Sequence, residues 1–218
     1  MKKKTMIFDL DGTLLDTLED LKNSVNYALE MTGNPIRTLD EIRQFVGNGI
    51  LLLMERAVPG GRENPSFDKA LAFFKEHYGV HCNDLTKPYE GIMDLIQVLK
   101  ENGIKMAIVS NKADFAVKEL SEIYFKGMIP VAIGEKESEG IRKKPAPDTV
   151  LQALNELGSS IEDAVYVGDS EVDLETANNC GMDYILCEWG FRERSFLEEK
   201  GGKVFVSHPS EILKVIQS

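Results

Sequence analysis

The sequence predicts an α/β protein with a doubly wound, mainly parallel sheet that carries an inserted α-helical segment. Three features lead to this prediction. Short apolar runs recur along the chain, amphipathic helical patterns lie between them, and one long region contains helical patterns without a strand. Strands that alternate with helices imply right-handed βαβ units, which build a doubly wound sheet.

The predicted strands are nearly continuous in hydrophobicity. This pattern is typical of strands that are buried on both faces, as in a parallel sheet covered by helices. The runs are Met6-Ile7-Phe8, Met106-Ala107-Ile108-Val109, Val165-Tyr166-Val167, Tyr184-Ile185-Leu186 and Val204-Phe205-Val206.

The predicted helices show apolar residues at the i, i+3, i+4, i+7 spacing of one helix face. Each pattern stops close to a glycine, the residue that favours the left-handed conformation after a helix. The segments are 92–99 before Gly103, 150–157 before Gly158 and 171–179 before Gly181.

One region departs from this alternation. Residues 15–85 contain helical patterns and no good strand, and glycine- and proline-rich turns separate them. We therefore predict an α-helical cap domain at residues 15–85. It is inserted into an α/β core domain made of residues 1–14 and 86–218.

The composition indicates a globular protein. Of 218 residues, 43% are hydrophobic and 28% are charged, and the net charge is −11. This acidic balance argues against a nucleic-acid partner, because nucleic-acid phosphates require basic patches. The three cysteines, Cys82, Cys180 and Cys187, are too few and too scattered for a disulfide framework, which indicates a reducing compartment.

No targeting or membrane segment is predicted. The basic start Met1-Lys2-Lys3-Lys4 resembles the beginning of a signal peptide, but Asp9 and Asp11 interrupt the apolar run that would have to follow. No stretch approaches the roughly 18 apolar residues of a membrane helix. We therefore expect a cytoplasmic protein without a membrane partner.

Two acidic side chains follow the first predicted strand, in Asp9-Leu10-Asp11-Gly12-Thr13. Residues i and i+2 of an extended segment point to the same side, so both carboxylates face one site. Such a pair is unfavourable unless a cation or proton separates the charges, and Mg²⁺ prefers oxygen ligands of this kind. A solvated acidic loop is the alternative interpretation.

Polar residues also surround two later elements. Ser110-Asn111 ends a predicted strand and would hold a phosphate oxygen, or would cap the helix that follows. In Lys143-Lys144-Pro145-Ala146-Pro147, two prolines restrict the backbone and would pin one lysine near a phosphate; a solvated basic turn is the alternative.

The fourth cluster is Gly168-Asp169-Ser170-Glu171-Val172-Asp173, which follows another predicted strand. Asp169 lies at the strand end, and Asp173 lies one helical turn later on the same side. The pair suggests a metal site, although acidic residues also favour a helix N-terminus. Together the four clusters supply the carboxylates, hydroxyl and cation that phosphoryl transfer requires.

In this order, the four clusters resemble the four motifs of the haloacid dehalogenase-like (HAD) phosphatases, whose core is Rossmann-like. The resemblance covers the whole chain. A helical cap directly after the first motif is similar to the subgroup of phosphoglycolate phosphatases, β-phosphoglucomutases and phosphonoacetaldehyde hydrolases. The resemblance implies a Mg²⁺-dependent hydrolase that acts on a small phosphorylated metabolite.

The resemblance also implies catalytic roles. Asp9 is the nucleophile that becomes an aspartyl phosphate, and Asp11 is the general acid and then the general base. Lys144 is the lysine that screens the nucleophile and the phosphate, with Lys143 as the alternative.

Binding roles follow from the same resemblance. Mg²⁺ is held by Asp9, the backbone carbonyl of Asp11 and Asp169, and Asp173 supports the metal site. Ser110 binds the transferring phosphate, with assistance from Thr13 and Asn111.

Two further segments bear on the subgroup. Phe45-Val46-Gly47-Asn48-Gly49 resembles the cap segment of phosphoglycolate phosphatases, which implies that Gly47, Asn48 and Gly49 influence specificity. A flexible turn between helices is the alternative. Trp189-Gly190-Phe191-Arg192 also occurs in that group.

Three functions are compatible with these residues. The first is a phosphatase for a small phosphomonoester such as phosphoglycolate. The second is a sugar-phosphate mutase of the β-phosphoglucomutase type, which would return the phosphoryl group to the sugar. The third is a non-catalytic binding protein on the same fold, a function that usually accompanies loss of a core acid.

Overall fold

The computed structural model describes residues 3–217. Met1 and Lys2 of the basic start, and Ser218 at the end of the predicted core domain, lie outside the described residues. The chain divides into two compact units. One contains the residues up to Leu15 and those from Pro88 onward, and the other is Asp16–Lys87.

The first unit contains a parallel sheet of six strands in the order β5-β4-β1-β6-β7-β8. Strands β2 and β3 form a separate two-stranded sheet. The strands are β1 (Thr5–Phe8), β2 (Leu15–Asp16), β3 (Lys87–Pro88), β4 (Lys105–Ala113), β5 (Val131–Glu135), β6 (Ala164–Gly168), β7 (Asp183–Cys187) and β8 (Phe205–Val206).

Helices occur in both units. Among residues 3–217, none of them combines the length and the apolar character needed to cross a bilayer. The helices are α1 (Leu18–Met31), α2 (Leu39–Phe45), α3 (Ile50–Ala57), α4 (Phe67–His81), α5 (Ile92–Glu101), α6 (Asp114–Phe125), α7 (Asp148–Leu157), α8 (Glu171–Cys180), α9 (Arg194–Glu199) and α10 (Pro209–Gln217).

Both faces of the six-stranded sheet are buried. In β1, Met6 and Phe8 belong to a cluster that includes Leu95 of α5, whereas Ile7 belongs to a cluster that includes Val150 of α7. Successive residues of the strand therefore enter opposite hydrophobic layers, which explains why the strand sequence is continuously apolar. The predicted doubly wound α/β fold is confirmed.

Several elements were not predicted from the sequence, and one predicted strand is longer than its apolar run. The additional elements are strands β2, β3 and β5 and helices α2, α9 and α10. Strand β4 continues beyond Val109 to Ala113, so that Ser110 and Asn111 lie within it. The alternative interpretation of Ser110 or Asn111 as the cap of the next helix is wrong, because Ala113 is the N-cap of α6.

The second unit contains helices α1 to α4. Apolar residues of α1 and α4, such as Val25 and Phe74, are fully buried. Helix α2 begins with a capping box, in which the Thr38 hydroxyl accepts a hydrogen bond from the Glu41 N–H and the Glu41 side chain accepts one from the Thr38 N–H. This reciprocal pair stabilises the start of a helix of only seven residues.

Candidate active site

The candidate site lies at the carboxyl end of the sheet's central strands. Strand β1 has β4 on one side and β6 on the other, so the chain connections diverge there. Crevices at such a switch point are the usual ligand sites of open α/β sheets. Asp9 follows β1, Ser110 lies in the last part of β4, and Asp169 follows β6.

Asp9 is buried and contacts a lysine. Its Oδ1 accepts a hydrogen bond from the Leu10 N–H at 2.7 Å and lies 3.0 Å from Nζ of Lys144. Burial, followed by the charge of Asp173, raises the pKa of Asp9 well above its usual value, and Lys144 opposes this effect. A further cation close to Asp9 would therefore lower its pKa and favour the ionised carboxylate.

Lys144 is the cation of the site, and only 2% of its side chain is exposed. Nζ of Lys144 lies 2.8 Å from Oδ1 of Asp173 and 2.9 Å from the Tyr166 hydroxyl. Burial alone would lower the pKa of Lys144, but the charges of Asp173 and Asp9 raise it well above its usual value. Lys144 is thus held in its charged form.

The neighbouring Lys143 points elsewhere. Its Nζ pairs with Oε2 of Glu137 at 2.8 Å. The backbone carbonyl of Lys144 accepts a hydrogen bond from Nδ2 of Asn111 at 3.0 Å, which ties the lysine segment to β4. The geometry therefore brings Lys144, and not Lys143, to Asp9.

Asp173 uses both carboxylate oxygens to organise its surroundings. Oδ1 accepts hydrogen bonds from Lys144 and from the Tyr166 hydroxyl, and Oδ2 accepts one from the Ser170 hydroxyl at 2.6 Å. The Ser170 and Asp173 side chains form the capping box of α8. Burial would raise the pKa of Asp173, but Lys144 and these donors lower it below its usual value.

Asp169 is fully buried, and each of its carboxylate oxygens accepts one hydrogen bond. Oδ1 accepts from the Thr13 hydroxyl at 2.9 Å, and Oδ2 accepts from the Phe191 N–H at 2.7 Å. Burial and the nearby Asp173 raise the pKa of Asp169 to about 7. Two hydrogen bonds therefore fix the carboxylate, and together with the charge of Arg192 they offset only part of the effect of burial.

Three carboxylates could hold a metal ion here. Ligand oxygens of Asp9, Asp169 and Asp173 lie within 4.8 Å of one another. Oxygen ligands and excess negative charge fit a hard divalent cation such as Mg²⁺. Asp173 fits this ion less well than Asp9 or Asp169, because its two oxygens already accept hydrogen bonds from Lys144, Tyr166 and Ser170.

Asp11 makes a contact that the sequence analysis did not anticipate. Nζ of the buried Lys112 lies 2.8 Å from Oδ1 and 3.1 Å from Oδ2 of Asp11. Lys112 follows Ser110 by two positions in β4, but the register of this strand shifts between Val109 and Ala113. Simple alternation along the strand therefore does not predict that Lys112 is a site residue.

Gly47, Asn48 and Gly49 lie in the second unit, between α2 and α3. Gly47 and Gly49 have φ values of 111° and 86°, which favour glycine. Oδ1 of Asn48 accepts a hydrogen bond from Nη2 of Arg56 at 2.9 Å. This turn is thus tied to α3, and its influence on specificity stays a prediction.

Comparisons with known proteins identify a family of similar hydrolases. The family model described as haloacid dehalogenase-like hydrolase matches residues 6–187. Phosphoglycolate phosphatase 1 of Pseudomonas aeruginosa is 31% identical over 96% of this chain and 78% of its own length. The phosphoglycolate phosphatase of Aquifex aeolicus is 29% identical over 99% of this chain and 97% of its own length.

A solved structure shows the same similarity. A candidate phosphoglycolate phosphatase from Lactobacillus delbrueckii subsp. bulgaricus is 38% identical and superposes with a TM-score of 0.93, with 99% of each chain covered. The predicted hydrolase and its resemblance to phosphoglycolate phosphatases are confirmed. The chain belongs to the family of haloacid dehalogenase-like hydrolases.

Proposed function

We propose that this hydrolase is a Mg²⁺-dependent phosphatase that cleaves a small phosphomonoester through an aspartyl phosphate on Asp9. One observation carries the proposal: the buried Lys144 contacts Asp9 while the ligand oxygen of Asp169 lies within 4.8 Å of that of Asp9. A carboxylate nucleophile beside a fixed cation and a second acid is the arrangement that phosphoryl transfer requires.

The first half-reaction forms the phosphoenzyme. A carboxylate oxygen of Asp9 attacks the phosphorus, and the bond from phosphorus to the leaving-group oxygen breaks. Asp11 gives a proton to that oxygen, and Lys144 and the Ser110 hydroxyl bind phosphate oxygens. When bound, Mg²⁺ would offset the negative charge of the phosphate and of Asp9 and Asp169.

The second half-reaction releases phosphate. Asp11 takes a proton from water, and the water oxygen attacks phosphorus while the bond to Asp9 breaks. Thr13 and Asn111 act indirectly in this scheme, because Thr13 orients Asp169 and Asn111 holds the carbonyl of Lys144. The acid–base role of Asp11 would raise the reaction rate by a factor on the order of 10²–10⁴.

The inserted unit completes the proposal. We propose that Asp16–Lys87 acts as a cap that limits water access during the first half-reaction, as mobile lids do in other enzymes. Its turn at Gly47-Asn48-Gly49 would influence substrate choice.

The predicted cytoplasmic location belongs to the same proposal. The buried free thiols of Cys180 and Cys187 are compatible with a reducing compartment.

The substrate is tested with a panel of phosphorylated metabolites that includes 2-phosphoglycolate. We expect release of inorganic phosphate that requires Mg²⁺, with the highest kcat/KM for 2-phosphoglycolate, because the similar proteins carry that name. Higher kcat/KM on another ester would reassign the substrate. Conversion of β-glucose 1-phosphate to glucose 6-phosphate without free phosphate would instead establish the mutase.

The affinity for the metal should decrease as the pH falls below about 7. The raised pKa of Asp169 means that the metal-free protein binds a proton there below about pH 7, and the metal must displace it. Above that pH this effect disappears, and below it the affinity falls by up to about tenfold per pH unit for each displaced proton. Mn²⁺ titrations between about pH 6 and pH 8 measure this dependence, and a constant affinity would contradict it.

A further inference from the structure

A loop after β7 contacts the candidate metal ligand Asp169. We call residues 188–193, between β7 and α9, the β7 loop. The Phe191 N–H in this loop donates a hydrogen bond to Oδ2 of Asp169 at 2.7 Å. The other carboxylate oxygen, Oδ1, accepts from the Thr13 hydroxyl at 2.9 Å. One of the two hydrogen bonds that orient Asp169 therefore comes from the β7 loop.

The same loop also supports the second donor. Nε1 of Trp189 donates a hydrogen bond to the backbone carbonyl of Thr13 at 3.0 Å. The carbonyl belongs to the residue whose hydroxyl holds Oδ1 of Asp169. The loop thus acts on Asp169 directly through Phe191 and indirectly through Trp189 and Thr13.

Glycines let the backbone approach the Asp169 side chain closely. A Cβ atom on Gly190 would lie 2.2 Å from Cβ and 2.4 Å from Oδ2 of Asp169. In the segment that follows β1, a Cβ on Gly12 would lie 2.4 Å from the same Oδ2. Gly190 has no left-handed φ that would favour glycine, so the close approach to Asp169 is what excludes a side chain there.

Packing alone does not account for these contacts. Phe191 is buried, and Trp189 packs against the hydrophobic cluster that contains Phe8 and Leu95. A purely structural loop would need those apolar contacts. It would not need a backbone N–H aimed at a buried carboxylate, or a glycine at a loop position where Cβ would collide with that carboxylate.

We propose that the β7 loop is a positioning element for the metal site, with Trp189, Gly190 and Phe191 holding the Asp169 carboxylate in one orientation toward Asp9. The inference rests on the proposed metal dependence. Partners that orient a metal ligand through hydrogen bonds typically change metal affinity by about 10–100-fold when they are lost. We expect loss of the β7-loop contacts to weaken metal binding by a factor in this range.

The test measures Mn²⁺ binding to the full chain by electron paramagnetic resonance of the free ion, at constant pH and without substrate. We expect Gly190→Ala to weaken Mn²⁺ binding about 10–100-fold. Trp189→Phe, which removes Nε1–H and keeps an aromatic ring, should weaken it by a smaller factor. Gly79→Ala is the matched control, because a Cβ on Gly79 in α4 meets nothing within 4 Å.

Two further measurements separate positioning from general damage. Circular dichroism should show that the metal-free Trp189→Phe protein is folded, and excess Mn²⁺ should restore the kcat of Gly190→Ala. Trp189 is the only tryptophan of the sequence, so Mg²⁺ should change its emission in the wild type and not in Asp169→Asn.

The outcomes distinguish this inference from the proposed function. If the wild type binds no Mn²⁺, the proposed metal dependence fails, and the inference fails with it. If the wild type binds Mn²⁺ and both loop variants bind it equally well, the inference is overturned and the proposed function stands. If Gly190→Ala does not fold, Trp189→Phe decides: weaker binding supports the inference, and unchanged binding overturns it.

Discussion

Replacing Asp9 with asparagine is expected to lower kcat/KM for p-nitrophenyl phosphate in Mg²⁺ by a factor on the order of 10⁴ or more, because loss of a nucleophile removes the covalent route altogether. The amide keeps the shape of the side chain but is a poor nucleophile. Steady-state release of p-nitrophenol by the purified variant measures the effect.

Stability provides the control for this variant. Burial and the charge of Asp173 raise the pKa of Asp9, so folding makes the ionised form of this side chain less favourable than it is in the unfolded chain. Asparagine should therefore keep or increase the free energy of unfolding in metal-free buffer. Asp94→Asn makes the same chemical change on the exposed face of α5 and should leave kcat/KM unchanged. If wild type and Asp9→Asn release product equally slowly, the catalytic proposal fails and a non-catalytic binding protein becomes the better explanation.

Replacing Lys144 with methionine is expected to lower the free energy of unfolding at pH 7 by about 3–5 kcal/mol, the usual effect of removing one partner from a buried ion pair. The substitution leaves the carboxylates of Asp9 and Asp173 buried without their common cation. Urea unfolding in metal-free buffer measures the loss. Turnover should fall as well, because Lys144 contacts the nucleophile.

Lys143→Met is the matched control for this prediction. Lys143 carries the same side chain one position earlier, is 23% exposed and pairs with the more exposed Glu137. Such a pair contributes only about 0–1 kcal/mol. Asp173→Asn added to Lys144→Met should recover part of the lost stability, since it removes an unpaired charge. Equal losses for the two lysine variants would show that the buried network does not stabilise the fold.

The sequence alone predicted the sheet because burial imposes its pattern locally. Met6, Ile7 and Phe8 of β1 each enter a hydrophobic layer, so this run is apolar throughout. Helix α2 lacks such a signal, because only Ile42 is buried, which leaves no stripe to detect. In β5 the apolar run Val131-Ala132-Ile133 is short and ends at Gly134, against which Asp114 packs. Helix α10 has Ile212 and Ile216 on one buried face, a pattern that was present in the sequence and was missed.

The acidic side chains of the site were also evident from local spacing. Asp9 and Asp11 are two positions apart after a strand, and Asp169 and Asp173 are one helical turn apart, so the spacing predicted that each pair shares a side. Lys112, which contacts Asp11, lies where the register of β4 shifts, so the two-residue spacing does not predict its position. Spacing determines which residues share a side within one element, and it says nothing about contacts between elements.

Contacts between elements were decided by the tertiary structure alone. The family resemblance implied Lys144 with Lys143 as the alternative, and the folded chain directs Lys144 to Asp9 and Lys143 to Glu137. Thr13 and Asp169 are 156 positions apart, and Trp189 and Thr13 are 176 positions apart. The sequence by itself therefore determined the fold class and the chemical groups of the site. Their partners depend on packing between distant segments, which no local periodicity records.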